Sequence, residues 1–220
     1  MKILGIHSSP NGKKSQTLRL LNAVLAGAAE EGAETEVVEL CKLKIEFCIG
    51  CRKCFKTGVC IFKDDYGPLL EKMLAADGLV WGSPNYSYCV TARMKALIDR
   101  MADVIHLQSF DGKYACAVAT GGRDDEVITR YLATNLMDFG AYVSGTAGAV
   151  VTRGPEAVDR AEVRALALGR VLANDIRQKT LYFDQRQAID ANRREFQAKI
   201  RQAGENWKNE FDYWEARNWA

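Results

Sequence analysis

Residues 2–31 read KILGIHSSPNGKKSQTLRLLNAVLAGAAEE, and the fold is decided here. Residues 2–7 form a short apolar run with a polar stop, the pattern of a buried parallel strand. Residues 16–31 carry Leu18, Leu21, Val24, Leu25 and Ala28 on one face, the pattern of an amphipathic helix. Between them lies a polar loop, SSPNGKKSQT. A strand, a polar loop and a helix N-terminus together make an anion site. Hydroxyls come from Ser8, Ser9, Ser15 and Thr17, and amides from Asn11 and Gln16. The loop is neither G-x-G-x-x-G nor G-x-x-x-x-G-K-[ST], so a dinucleotide fingerprint and a P-loop are both excluded. Hydroxyls without a flanking cation motif suit a phosphate monoester. The plainer alternative is helix N-capping by Ser and Thr.

Strand and helix patterns keep alternating beyond this unit. Strands are expected at 35–40, 78–81, 114–120 and 141–151. Helices are expected from Asp64 or Asp65 to about 76, then at 91–104, 125–139 and 155–179. Such alternation predicts a parallel sheet with helices on both faces. Five strands with several ligand-like loops fit a doubly wound, flavodoxin-like sheet of order 2-1-3-4-5. Ligands of such sheets bind at the strands' C-terminal edge. There the third strand ends in GSPNYSYCV, with turn formers Gly82, Pro84 and Asn85 and the aromatic faces of Tyr86 and Tyr88. The fourth ends in Thr120, Gly121 and Gly122, whose glycines allow backbone to approach a planar ligand.

Residues 1–180 thus form one flavodoxin-like domain, and 181–220 a C-terminal helical arm. From residue 181 onward the arm holds seven basic and seven acidic residues. Trp207, Phe211 and Trp214 recur at helical spacing, which predicts a shared face. That face is expected to pack on its own domain or, in preference, on a second subunit.

An insertion at 41–63 interrupts the domain with CIGCRKCFKTGVC, residues 48–60, in the spacing C-x2-C-x2-C-x5-C. Four thiols within thirteen residues suit an iron–sulfur cluster, with zinc and redox-active thiols as alternatives. No apolar periodicity runs through it, so a loop is expected. Six basic residues and one acid lie between 42 and 63, a balance that stabilises an anionic centre.

The 220 residues are 48% hydrophobic and 26% charged, ordinary for a globular chain that needs no disulfides. A net charge of +2 gives no expectation of nucleic-acid binding. No signal peptide or membrane-length apolar stretch is expected, so the location read is cytoplasmic, where clustered cysteines bind metal more often than they pair. Cys41, Cys89 and Cys116 read as core thiols. His7 and His106 are the only histidines, no Ser-His-Asp set is evident, and His7 reads as structural.

Four motifs together resemble the iron-sulfur flavoprotein group of the NADPH-dependent FMN reductase family, over roughly residues 1–170. They are SSPNGKKSQT, the compact cysteine motif followed by KDDY, GSPNYSYCVTARMKALIDR, and TGGR. The resemblance implies a flavodoxin-like fold, FMN, a [4Fe–4S] cluster and NAD(P)H as a candidate donor. It assigns the FMN phosphate to Ser9, Asn11, Ser15, Gln16 and Thr17. It assigns the flavin ring to Pro84, Asn85, Tyr86 and Ser87 on one side and Thr120, Gly121 and Gly122 on the other. It assigns the cluster to Cys48, Cys51, Cys54 and Cys60. Relatives often carry Arg where Asn11 stands, which leaves phosphate neutralisation to Lys13 or Lys14. Many carry a Gly pair where Asp124 and Asp125 stand. The implied function is electron transfer between flavin and cluster, in a homodimer or homotetramer, with a redox protein or small molecule as acceptor. The rival readings are an NAD(P)H-dependent FMN or quinone reductase without a functional cluster, and a non-enzymatic redox sensor.

Overall fold

A computed structural model describes residues 1–219. In chain order its elements are β1 (Lys2–His7), α1 (Gln16–Glu30), β2 (Glu34–Glu39), α2 (Lys53–Thr57), α3 (Tyr66–Ala75), β3 (Gly78–Pro84), α4 (Ala92–Arg100) and α5 (Ala102–His106). Then follow β4 (Tyr114–Gly121), α6 (Glu126–Asp138), β5 (Tyr142–Val150), α7 (Pro155–Gln178), α8 (Phe183–Ala203) and α9 (Lys208–Glu215). The five strands form one parallel sheet in the order β2-β1-β3-β4-β5, as the alternation predicts. The central strands are buried nearly end to end, which explains their unbroken apolar runs.

The pleat sends alternate residues to two cores. Ile3, Val80, Cys116 and Val118 meet α1 and α7, while Leu4, Ile6, Leu79 and Trp81 meet α3, α4 and α6. Helices α1 and α7 touch backbone to backbone. A methyl on Gly27 would collide with the Leu166 carbonyl, and one on Gly169 with the Val24 carbonyl.

Several expectations need adjustment. The helix expected over 91–104 is two, α4 and α5, parted at the fully buried Met101 (φ −92°, ψ 27°). The cysteine stretch is not loop throughout, since α2 sits between a left-handed Arg52 (φ 58°) and a left-handed Gly58 (φ 71°). Of the three expected core thiols only Cys116 is buried, Cys41 is half-buried and Cys89 is exposed on a turn.

The arm folds back on its own chain. Gln185 at the start of α8 holds the free edge of β5 with both ends of its amide. Val143 N–H donates to Oε1 (2.7 Å), and Nε2 donates to the Val143 carbonyl (2.9 Å). Trp214 of α9 is 3% exposed, and its Nε1 donates to the His106 carbonyl (3.2 Å). Trp207 stacks on the His106 ring, while Phe211 turns away to meet Trp219 edge-on. The three aromatics therefore do not share one face. Trp207 (φ −120°, ψ 45°) precedes the helix, which breaks the i, i+4, i+7 register. Among the described residues no helix is long and apolar enough to cross a membrane.

Candidate functional site

The loops after β1, β3 and β4 converge at the sheet's C-terminal edge, around a cleft of about 230 Å³. Every residue expected to contact a flavin lines it except Tyr86 and Ser87. Lys14 and Val151 complete the wall, so of the two lysines expected to neutralise a phosphate, Lys14 is the one present. Lys13 instead faces a wider groove of about 790 Å³ between α1 and α7. Lys14, Ser15 and Gln16 border that groove too, and its Arg19 is already paired with Glu162 and Asp159.

Local hydrogen bonds shape the cleft. Ser15 caps α1 by accepting from Leu18 N–H (3.1 Å), and Ser9 Oγ accepts from Asn11 N–H (3.3 Å). Ser15 is thus the helix cap of the plainer alternative, while Ser9 bonds within the loop. The first-turn amides of α1, from Gln16 onward, head a helix of fifteen residues and favour an anion. Thr17 and Thr120 share a buried hydroxyl–hydroxyl bond of 2.6 Å that ties the phosphate loop to the end of β4. Asn85 braces the opposite wall. Its N–H donates to the Thr120 carbonyl (2.8 Å), its Nδ2 to the Asp124 carbonyl (2.6 Å), and its Oδ1 accepts from Tyr88 N–H (2.8 Å).

Residues 86–89 form a tight turn in which Tyr86 and Cys89 exchange backbone hydrogen bonds of 2.9 and 3.1 Å. Both central residues, Ser87 (φ 53°) and Tyr88 (φ 62°), are left-handed. That geometry usually selects Asn or Gly, so strain is held at the rim of the cleft. Tyr86 and Tyr88 stand exposed there. Gly121 is required, since a side chain would strike the Asp124 carbonyl and Asn85. Asp124 and Asp125 are spent elsewhere. Asp124 Oδ1 caps α6 through Glu126 and Val127 N–H (2.9 and 3.2 Å), and Asp125 packs on Gly148.

His7 ends β1 beneath this edge, fully buried, with neither ring nitrogen hydrogen-bonded. Burial lowers its pKa below 6.5, against the pull of Glu39 at 3.8 Å. It lines no part of the cleft, in keeping with a structural role.

The cysteine loop lies on the sheet face that carries α3 to α6. Cys48 and Cys51 are exposed, and Cys54 and Cys60 are half-buried. Gly50 N–H donates to Cys48 Sγ (3.4 Å) with Gly50 left-handed (φ 64°). Burial pushes the Cys54 thiol up to about 12. Cys51 shares a hollow with Arg52, Lys53 and Lys56. Among the described residues no three side chains of His, Cys, Asp or Glu converge on one point, so the four thiols are neighbours without yet forming a cage. The site fits a cluster by other marks. The donor set is four soft thiols in a basic setting, and two buried donors, Arg100 Nε beside Cys60 and Tyr66 Oη near Cys54 and Cys60, have no partner.

Two residues dominate here, Asp64, expected only as a candidate helix cap, and Arg100, for which no role was expected. Asp64 of KDDY and Arg100 of ALIDR form a buried bidentate ion pair (2.7 and 3.2 Å). Their signal was their place in motifs that had no other explanation.

A sequence model of the NADPH-dependent FMN reductase family matches residues 1–156. The chain belongs to the NADPH-dependent FMN reductase family. Its curated relatives include an iron-sulfur flavoprotein of Methanocaldococcus jannaschii, 40% identical over 121 residues, a match covering 55% of this chain and 62% of that protein. An iron-sulfur flavoprotein of Archaeoglobus fulgidus is 28% identical over 219 residues, 99% of both chains. Among solved structures, the NAD(P)H:quinone oxidoreductase from Methanothermobacter marburgensis matches with a TM-score of 0.63 at 19% identity, over 78% of this chain and 96% of that one. A flavodoxin from the domain Archaea matches with a TM-score of 0.54 at 16% identity, over 80% and 99%. At these identities the structural likeness establishes the flavodoxin-like fold.

Proposed function

We propose that the chain is an iron–sulfur flavoprotein, an FMN-dependent oxidoreductase that passes electrons between flavin and a [4Fe–4S] cluster. The observation that carries the flavin half is the convergence of three loops on one cleft, ten of whose lining residues were expected from the sequence. In this reading the amides heading α1, with Lys14, hold the phosphate. Pro84, Asn85, Tyr86 and Ser87 flank the ring on one side, and Thr120, Gly121 and Gly122 on the other. Bound there, FMN supplies hydride acceptance and its release as single electrons. The Thr17–Thr120 bond and the Asn85 braces keep the walls apart at fixed spacing, so the ligand meets a preformed site. Cys48, Cys51, Cys54 and Cys60 hold the cluster, which carries one electron at a time. The FMN reductase family match and the iron-sulfur flavoprotein relatives both support this reading.

Protein isolated anaerobically should release FMN on heating and contain iron and sulfide. Cys51→Ala should lose iron yet keep its FMN, because the cleft shares no residue with the cysteine loop. Release of FAD, or full iron retention in that variant, rejects the respective half. The second reading, an NAD(P)H-dependent FMN or quinone reductase with unmetallated thiols, draws on the lack of convergence of the four sulfurs. NAD(P)H oxidation by iron-free protein distinguishes it.

Assembly belongs to the same proposal. Arg100 and Cys60 lie at the far end of α4, whose nine residues separate them from the cleft edge by about 13 Å at 1.5 Å per residue. Phe47, Ile49, Val59 and Ile61 stand exposed around the thiols. A second copy covering that apolar rim would bring its own cleft to this loop, which supports a homodimer or homotetramer. Seven free thiols support a reducing, cytoplasmic setting.

A further inference from the structure

The cysteine loop is closed at its base by one buried cation. Arg100, 3% exposed, is the last residue of α4. Its Nη1 donates to the Glu46 carbonyl (2.9 Å) and to Asp64 Oδ2 (2.7 Å), and its Nη2 donates to Asp64 Oδ1 (3.2 Å). Asp64 in turn accepts from Glu46 N–H (2.8 Å) and Tyr66 N–H (3.2 Å). One ion pair therefore pins the chain just before Cys48 and just after Cys60. The guanidinium lies over the Tyr66 ring at 4.5 Å and the Phe62 ring at 5.1 Å, so its faces are covered. Three of its five N–H groups thus have acceptors, and Nε is buried with none. The Tyr66 hydroxyl is in the same position, buried and unpartnered. Cys60 lies beside the guanidinium, and Cys54 and Cys60 are both among the groups around the Tyr66 hydroxyl. A buried donor without an acceptor costs about 1–3 kcal/mol, more when charged, so an arginine nitrogen beside Cys60 and a tyrosine hydroxyl near Cys54 and Cys60 point to an anion that meets them both.

We propose that Arg100 and Tyr66 are positioning residues for the cysteine-bound cluster, donating from the protein side to the sulfurs at Cys54 and Cys60 and favouring the reduced, more negative state. This rests on the cluster reading. An arginine suits the place where a lysine does not. Its planar fork spends two nitrogens on Asp64 and Glu46 and keeps the third, Nε, directed elsewhere. The six loop cations noted in the sequence are surface groups, screened by water. The buried guanidinium acts through protein and is felt more strongly.

The test is a redox titration of anaerobically reconstituted protein, followed by low-temperature EPR, with iron and sulfide counted in each sample. Tyr66→Phe deletes only the hydroxyl and leaves the packing intact. Arg100→Gln removes the charge, and Arg100→Lys keeps the charge without the fork. Tyr66→Phe and Arg100→Gln should both retain iron and shift the reduction potential to lower values, with Arg100→Lys nearer to wild type than Arg100→Gln. A wild-type potential in Tyr66→Phe and in the Arg100 variants, at full iron content, overturns the proposal and leaves the cluster reading standing. Should Arg100→Gln lose its iron or fail to fold, Tyr66→Phe decides alone, and an unchanged potential there is the overturning result. Wild-type protein that takes up no iron overturns the cluster reading itself, and the proposal with it.

Discussion

His7 is the buried residue whose protonation the fold resists. The unfolded chain titrates near 6.5, and burial holds the folded value lower. Glu39 raises it and Lys42 lowers it, both less than burial does. Below that unfolded value the unfolded chain binds more protons, so stability is present above about pH 6.5 and drains away as pH falls toward the folded value. Urea midpoints should therefore drop between about pH 7.5 and about pH 5.5, and His7→Gln should flatten that part of the slope. An equally steep slope in the variant would assign the acid sensitivity elsewhere. Residues of this kind differ in how far sequence reveals them. The cysteines and the hydroxyl-rich loop announce themselves by spacing and type. The Asp64–Arg100 pair does not, because its partners are 36 residues apart and Asp64 alone reads as a helix cap. Only folding α4 against the base of the cysteine loop makes them one unit.

At the scale of elements, the tightest joint is the crossing of α1 and α7. Gly27 and Gly169 each lie against a backbone carbonyl of the other helix, so neither collision can be relieved by turning a side chain. Gly169→Ala should cost about 3 kcal/mol or more and lower the melting temperature by roughly 6–12 °C, read by calorimetry. A loss below about 1 kcal/mol would mean that the helices can slide apart. Strands and long helices were legible because burial on both faces, or on one stripe, writes a period into the chain. The divide between α4 and α5 was not, since Met101 continues the apolar pattern while its backbone leaves the helix. Nor was the turn at Ser87 and Tyr88, which adopts a left-handed geometry without the residues that normally signal it.

For the whole molecule, the C-terminal extension is helical as its pattern predicts, but its aromatics do not share one face. Amphipathic spacing tells that a face is buried, and does not tell against what. Glu210 of α9, fully buried, faces His106 Nδ1 with both carboxylate oxygens at 3.0 Å. The His106 ring is walled by Phe55, Phe196 and Trp207 at 4.5–5.1 Å. Phe55 sits directly after Cys54, so α9 clamps the short α2 from outside. Glu210→Gln should weaken that clamp by about 1–3 kcal/mol and raise amide exchange in α2 and α9 ahead of the sheet. Exchange raised equally everywhere would deny the arm a local role. Removing residues 181–220 would also uncover the β5 edge that Gln185 holds, so the truncated chain should aggregate as well as unclamp α2. Sedimentation of the intact protein at low concentration tests the proposed oligomer, which a stable monomer would refute. The clamp also sets an order of events at the ribosome. Glu210 is made about 150 residues after Cys60, which at 5–20 residues per second is roughly 8–30 s. Throughout that interval the cysteine segment exists while its outer wall does not, and a maturation machinery delivering iron would have open access from a side that the finished protein closes.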